Sequence, residues 1–106
     1  MIDIKQVINL ASQGNAECQA FLSQAYYYGQ GGVEKNYKKA LEWAQKAFDN
    51  GEKKDAPMII AMCLLNGQGI AVNKDLGYQF LCFAADNGNE IAMEFKERVR
   101  KDIYGR

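Results

Sequence analysis

The chain has 106 residues, with 13 Lys+Arg set against 13 Asp+Glu and 48% hydrophobic residues. The charge balance leaves no net field to draw it to nucleic acid or an anionic membrane, and the apolar content excludes global disorder. A length of this order holds one domain with a single modest core.

At the N-terminus, Ile2, Ile4, Val7 and Ile8 alternate with Asp3, Lys5, Gln6 and Asn9. That interleaving breaks up a signal-peptide stretch, and no later run is long enough to span a bilayer. Asn-x-Ser/Thr sequons are absent. The expected compartment is the cytoplasm. Cys18, Cys63 and Cys82 form no Cys-x-x-Cys pair, and with no histidine in the chain neither a zinc site nor another metal site is expected. All three are expected as reduced thiols.

Helical periodicity runs through the chain and strand alternation is missing. The first helix, about Ile2 to Ser12, places Ile4, Val7, Ile8 and Ala11 on one face, and Gly14 stops it. The second runs from about Asn15 to Tyr28, with Cys18, Leu22, Ala25 and Tyr26 inward. After the loop from Gly29 to Gly32, Asn36 caps a third helix from Tyr37 to Asn50. Its stripe is Ala40, Trp43, Ala44 and Ala47, with Trp43 expected to fill the core between neighbouring helix pairs. Pro57, tolerated in a first turn, opens a helix ending at Asn66, with Ile59, Ile60 and Cys63 as core. Asn73 begins the next, with Tyr78, Phe80, Leu81 and Ala84 apolar. The last, about Asn89 to Ile103, offers Ala92, Phe95 and Val99 on one side. Its remainder is charged, with Glu94–Arg98 and Glu97–Lys101 at i,i+4 spacing. That face is expected to act as a polar cap.

These six helices are two copies of one unit. Gly14, Gly51 and Gly88 recur at intervals of 37, and each interval contains a Gly-Gln-Gly turn, Gly29–Gly31 and Gly67–Gly69. A period of roughly 30–45 residues marks helical units that bury their apolar faces only by stacking on neighbours. The divisions are a half-repeat helix (1–13), repeat one (14–50), repeat two (51–87) and a capping helix (88–106).

The order of small and large residues resembles the Sel-one-like repeat, a relative of the tetratricopeptide repeat. The first copy carries it through Leu22, Tyr26, Gly29, Gly31, Val33, Asn36-Tyr37, Ala40, Trp43, Ala47 and Gly51. The second carries it through Ala56, Ile60, Ala61, Leu64, Gly67, Gly69, Ile70, Phe80, Ala84-Ala85 and Gly88. Departures are the extra Gly32, one extra residue near Lys53-Lys54, and Lys96 and Arg100 where the pattern has Leu and Tyr. The resemblance implies an all-α, right-handed α/α solenoid of antiparallel helix pairs that binds proteins through a concave groove lined by the first helix of each pair. Carried over residue by residue, the groove positions are Glu17, Ala20, Gln24, Tyr27 and Tyr28, then Met58, Met62, Leu65 and Asn66. Tyr26-Tyr27-Tyr28 cannot all face inward on one helix, so an exposed tyrosine beside Met and Leu is expected, the composition of a binding hot spot.

Catalytic constellations are missing. The Gly-Gln-Gly turns lack the Gly-Lys-Ser/Thr that holds phosphate, and Ser12 and Ser23 have no histidine to activate them. Glu90, Glu94 and Glu97 share one helix with no separated partner carboxylate. Lys35, Lys38, Lys39, Lys46, Lys53 and Lys54 are interleaved with Glu34, Glu42, Asp49, Glu52 and Asp55, which reads as a solvated face. The expectation is a non-enzymatic module, without cofactor, that binds one dedicated protein partner. Fold-level analogy adds a cytosolic immunity protein that neutralises a bacterial toxin as one such use. A small adaptor in signalling or complex assembly and a cryptic enzyme are the competing readings.

Overall fold

The computed structural model describes residues 3–105, and these form six α-helices without a strand. They are α1 (Ile4–Ser12), α2 (Ala16–Tyr28), α3 (Tyr37–Asp49), α4 (Ala56–Asn66), α5 (Lys74–Asp86) and α6 (Glu90–Tyr104). Ile2, placed in the first helix from the sequence, lies outside the described residues.

The helix starts follow from cap chemistry. Asn15, Asn36, Asn73 and Asn89 each accept a hydrogen bond from the backbone N–H three residues on, satisfying an orphan donor of the first turn. Helix α4 departs from the rule. The extra residue near Lys53-Lys54 leaves Asp55 in helical backbone geometry, where its side chain makes no capping bond. Glu52 takes the role instead: its Oε1 accepts from Asp55 N at 2.9 Å and from Ala56 N at 2.7 Å. The three periodic glycines, Gly14, Gly51 and Gly88, all sit just past a helix end at φ near +100°, +97° and +97°. That is backbone territory closed to most side chains.

Each helix packs on the next, α2 also touches α4, and the molecule extends 45 × 24 × 23 Å, as single-file stacking requires. One core cluster joins α2, α3 and α4 through Ala20, Ala40, Ala44, Ala47, Ile59 and Ile60. A second joins α4, α5 and α6 through Met58, Ala61, Leu81, Ala84, Ala85 and Ala92. Alanines on α3 and α5 let those helices approach closely while the larger side chains come from α4. Gly77 takes this furthest, since a Cβ there would stand 2.8 Å from Leu65 Cγ.

Polar stitches join the repeats. Buried Gln19 donates from Nε2 to the Ala11 carbonyl at 2.9 Å, and its Oε1 accepts from Asn50 Nδ2 at 2.9 Å. One amide thus ties the ends of α1 and α3 to α2. Asn89 Nδ2 donates to the Lys54 carbonyl at 3.0 Å, a comparable tie one repeat later.

Three expectations need correction. Trp43 is only half-buried: it stands at the edge of the alanine stripe, beside Lys39 and Lys46, and Lys46 Nζ lies 4.7 Å from its ring centroid. On α6 the ion pair formed is Glu97–Arg100, 2.9 Å apart and hydrogen-bonded through both carboxylate oxygens, in place of the i,i+4 pairs. The exposed surface of α6 is also not simply polar, because Ile91, Met93, Phe95 and Tyr104 are all exposed. With α5 as its principal neighbour, α6 can cover only one row of side chains, of which Ala92 alone is fully buried.

Candidate protein-binding groove

Of the first helices of the pairs, α2 touches α4, and a groove of about 320 Å³ runs between α4 and α6. Met58, Met62, Leu65 and Asn66 reach it from α4, and Phe95, Arg98 and Val99 from α6. Helical spacing explains the α4 set, since positions 58, 62 and 65 fall on one face. Burial separates their roles. Met58, 5% exposed, belongs to the core cluster and forms the floor, Met62 and Leu65 are half-buried walls, and Asn66 is at the exposed end. Phe95 is 38% exposed, with the Arg98 guanidinium 5.7 Å from its ring centroid. The groove is therefore a thioether and aromatic surface edged by the charges of Arg98, Lys74 and Asp102.

The candidates of the first repeat do not join this groove. Glu17 is exposed in the first turn of α2, Gln24 is half-buried, and Ala20 is core. Among the three tyrosines the roles divide as helical geometry demands. Tyr28 is 48% exposed, Tyr26 is half-buried, and Tyr27 is 8% exposed, the reverse of an accessible anchor. Tyr27 is enclosed by Tyr28 and Tyr37, with ring centroids at 5.0 and 5.2 Å. Its hydroxyl donates to Gln68 Oε1 at 2.5 Å. Burial pushes its hydroxyl pKa up, as do neighbouring Cys63 and Tyr37. Tyr27 is thus a strut holding the second Gly-Gln-Gly turn onto α2.

A larger concavity lies on the other side. The second helices, α3 and α5, meet through Phe48, whose ring lies 5.5 Å from Phe80 and 5.4 Å from Phe83. Alongside this contact is an open cleft of about 910 Å³. Ile60 and Leu64 of α4 form its floor, Trp43 and Tyr26 one wall, Leu76 and Phe80 the other. Lys39, whose Nζ is 5.4 Å from the Tyr26 ring centroid, Glu42 and Lys46 edge the α3 wall. The signal for this cleft was present in the sequence as Lys39 and Lys46 flanking Trp43 at helical spacing. Phe95 and Arg98 of the groove carried a weaker signal, since the repeat pattern fades over α6.

Cys18, Cys63 and Cys82 are all free thiols, and burial raises the Cys63 pKa to about 11, which makes it a poor nucleophile. Among the described residues no cluster of His, Cys, Asp or Glu could hold a metal ion, and no helix is long and apolar enough to cross a membrane.

The Sel1 repeat model matches residues 16–52 and 58–89. Among solved structures, the crystal structure of a Sel1 repeat protein from Oxalobacter formigenes superposes with a TM-score of 0.78 at 26% sequence identity. That match covers 88% of this chain and 26% of the other, so the chain spans about a quarter of that protein's length. Sel1 repeats generally mediate protein–protein interaction. Two matched repeats, six helices in single file and a TM-score of this size agree: the chain belongs to the Sel1 repeat family.

Proposed function

We propose that the chain binds one dedicated protein partner, without catalysis of its own, through the groove between α4 and α6. The observation that carries this is the half-exposed Met62 and Leu65 facing exposed Phe95 across a preformed groove. Flexible thioethers beside an aromatic ring adapt to a partner's apolar side chains, and an arginine at the edge supplies a directional donor. Tyr28, Asn66, Gln24 and Glu17 extend this reading as peripheral contacts along the same row of helices. Neutralisation of a toxin is the form of one-to-one pairing that the family resemblance brings, and co-expression with a toxin encoded beside it would test that form.

The groove itself is tested by affinity capture from the native lysate with mass spectrometry, comparing the wild type with Phe95→Glu. Phe95 is exposed, so the substitution leaves the fold intact by circular dichroism while placing a charge among the anchors. The expected result is at least a tenfold loss of the captured partner, with Lys38→Ala, on the far side of α3, unchanged. Retention of the partner by Phe95→Glu, or its loss with Lys38→Ala, moves the interface off this groove.

A further inference from the structure

The outer cleft is a second concavity, separate from the groove. Its floor and walls are apolar and aromatic: Ile60, Leu64, Trp43, Leu76 and Phe80. Its rim is one-sided. On the α3 wall stand Lys39 and Lys46, with Glu42 between them, whereas Leu76 and Phe80 supply no charge from the α5 wall. Neither ammonium has a carboxylate within ion-pair distance among the described residues; each lies over an aromatic ring instead. A cation held on a ring face is partly desolvated and can still accept an anion on its open side.

The cleft is open along one side, so a compact small molecule would leave much of its surface in water. An amphipathic helix is matched to such a shape, because it needs to bury one face only. From Lys39 to Lys46 the α3 wall runs seven residues, about 10 Å or two helical turns. A parallel or antiparallel helix in the cleft would place side chains seven residues apart opposite the two lysines, and the midpoint opposite Glu42.

We infer that the α3–α5 cleft docks a short amphipathic helical segment of a partner protein, with apolar anchors against Trp43, Leu76 and Phe80 and acidic residues seven apart meeting Lys39 and Lys46. The site lies on the opposite side from the α4–α6 groove and does not depend on it.

Trp43 is the only tryptophan of the chain and lines the cleft, so its emission reports occupancy directly. The probe is a synthetic peptide of about fifteen residues with Leu and Phe on one helical face and Glu at the two flanking positions. Its counterpart carries Lys at those positions. The acidic peptide is expected to change Trp43 emission saturably, to bind at least tenfold tighter than its lysine counterpart, and to weaken as salt is raised. Lys39→Glu/Lys46→Glu should reverse the preference between the two peptides, and Leu76→Glu should abolish both signals, each with an unchanged circular-dichroism spectrum. Phe95→Glu, which disables the groove, should bind the acidic peptide as the wild type does. Equal affinities for the two peptides, or acidic-peptide binding that survives Lys39→Glu/Lys46→Glu, overturns the inference. So does dodecanoate saturating the Trp43 signal where the peptides fail, which assigns the cleft to a small amphiphile. Concentration-dependent dimerisation that shields Trp43 overturns it as well, in favour of a second copy.

Discussion

Helices α4 and α6 occupy the same place in the repeat, each following an Asn-Gly helix stop, yet they have opposite characters. Helix α4 lies among α2, α3 and α5 and buries eight of its eleven residues. Helix α6 packs chiefly on α5 and buries only Ala92. Where α4 offers Ile60 and Leu64 to its surroundings, α6 offers Lys96 and Arg100, half-buried and charged. In a solenoid, burial is set by how many neighbours a unit has, and the side chains follow.

The sharpest way to break that comparison is to truncate one apolar residue in each helix. Ile59→Ala, at a fully buried site of α4, should cost about 2–5 kcal/mol, comparable to a large part of a small domain's stability. Phe95→Ala on α6 should cost no more than about 1 kcal/mol, because the ring is already partly in water. Urea unfolding of the two variants decides it. Equal losses would mean that α6 contributes core as fully as α4.

Backbone contact gives the next effect. Gly69 has φ +76°, and a Cβ there would lie 3.0 Å from the Tyr37 carbonyl carbon and oxygen. Gly51 has φ +97°, with nothing within 4 Å of such a Cβ. Both alanine variants incur the left-handed backbone cost of about 1–2 kcal/mol, and Gly69→Ala adds a clash with backbone that cannot turn aside. Gly69→Ala should therefore melt well below Gly51→Ala. Equal melting temperatures would show that the second Gly-Gln-Gly turn does not rest on the start of α3.

These contrasts also mark what was legible in the sequence. The helices, the Asn36 cap and the glycine stops were readable because each rests on a local rule, and the glycines Gly14, Gly51 and Gly88 recur every 37 residues. The alanines at 40, 44 and 47 identified the packed stripe of α3. Trp43 was misread because it sits on the border of that stripe, where the pattern cannot tell a core ring from a cleft wall. Tyr27 was misplaced for a related reason. It packs in a core cluster with α3 and α4 and bonds Gln68, 41 residues away, and no periodicity encodes partners at that distance. Phe95 was readable as apolar but not as exposed, since nothing in its own helix reports that α6 has a neighbour chiefly on one side.

The Tyr27 strut gives a smaller prediction. Tyr27→Phe keeps the ring packing and removes the donor to Gln68, so a loss of about 1 kcal/mol is expected. Tyr27→Ala should cost several times more, because it also vacates the space between Tyr28 and Tyr37. Calorimetry of the pair separates bond from packing. A neutral Tyr27→Phe would mean that water satisfies Gln68 equally well.

The smallest effects are electrostatic, and α4 and α6 should respond to pH with opposite signs. At the start of α4, burial and the neighbouring Glu52 push the Asp55 carboxyl above its ordinary value of 3.8, against the opposing pull of Lys54. The folded state then holds a proton more readily than the unfolded chain, so stability falls as pH rises through the interval above 3.8. At neutral pH the ionised Asp55 is a residual cost, and Asp55→Asn should raise the melting temperature by about one or two degrees, the gain fading near pH 3. On α6 the Arg100 guanidinium holds Glu97 below its ordinary 4.5. That contribution is present above 4.5 and is lost as pH falls through the lowered value. Glu97→Gln should therefore lower the melting temperature slightly at neutral pH and converge on the wild type in acid. The shift should shrink in high salt, because the Glu97–Arg100 pair is exposed to solvent. Melting curves of both variants at about pH 3 and pH 7 test the pair together. The same sign of shift in both would mean that the start of α4 is as open to water as the middle of α6.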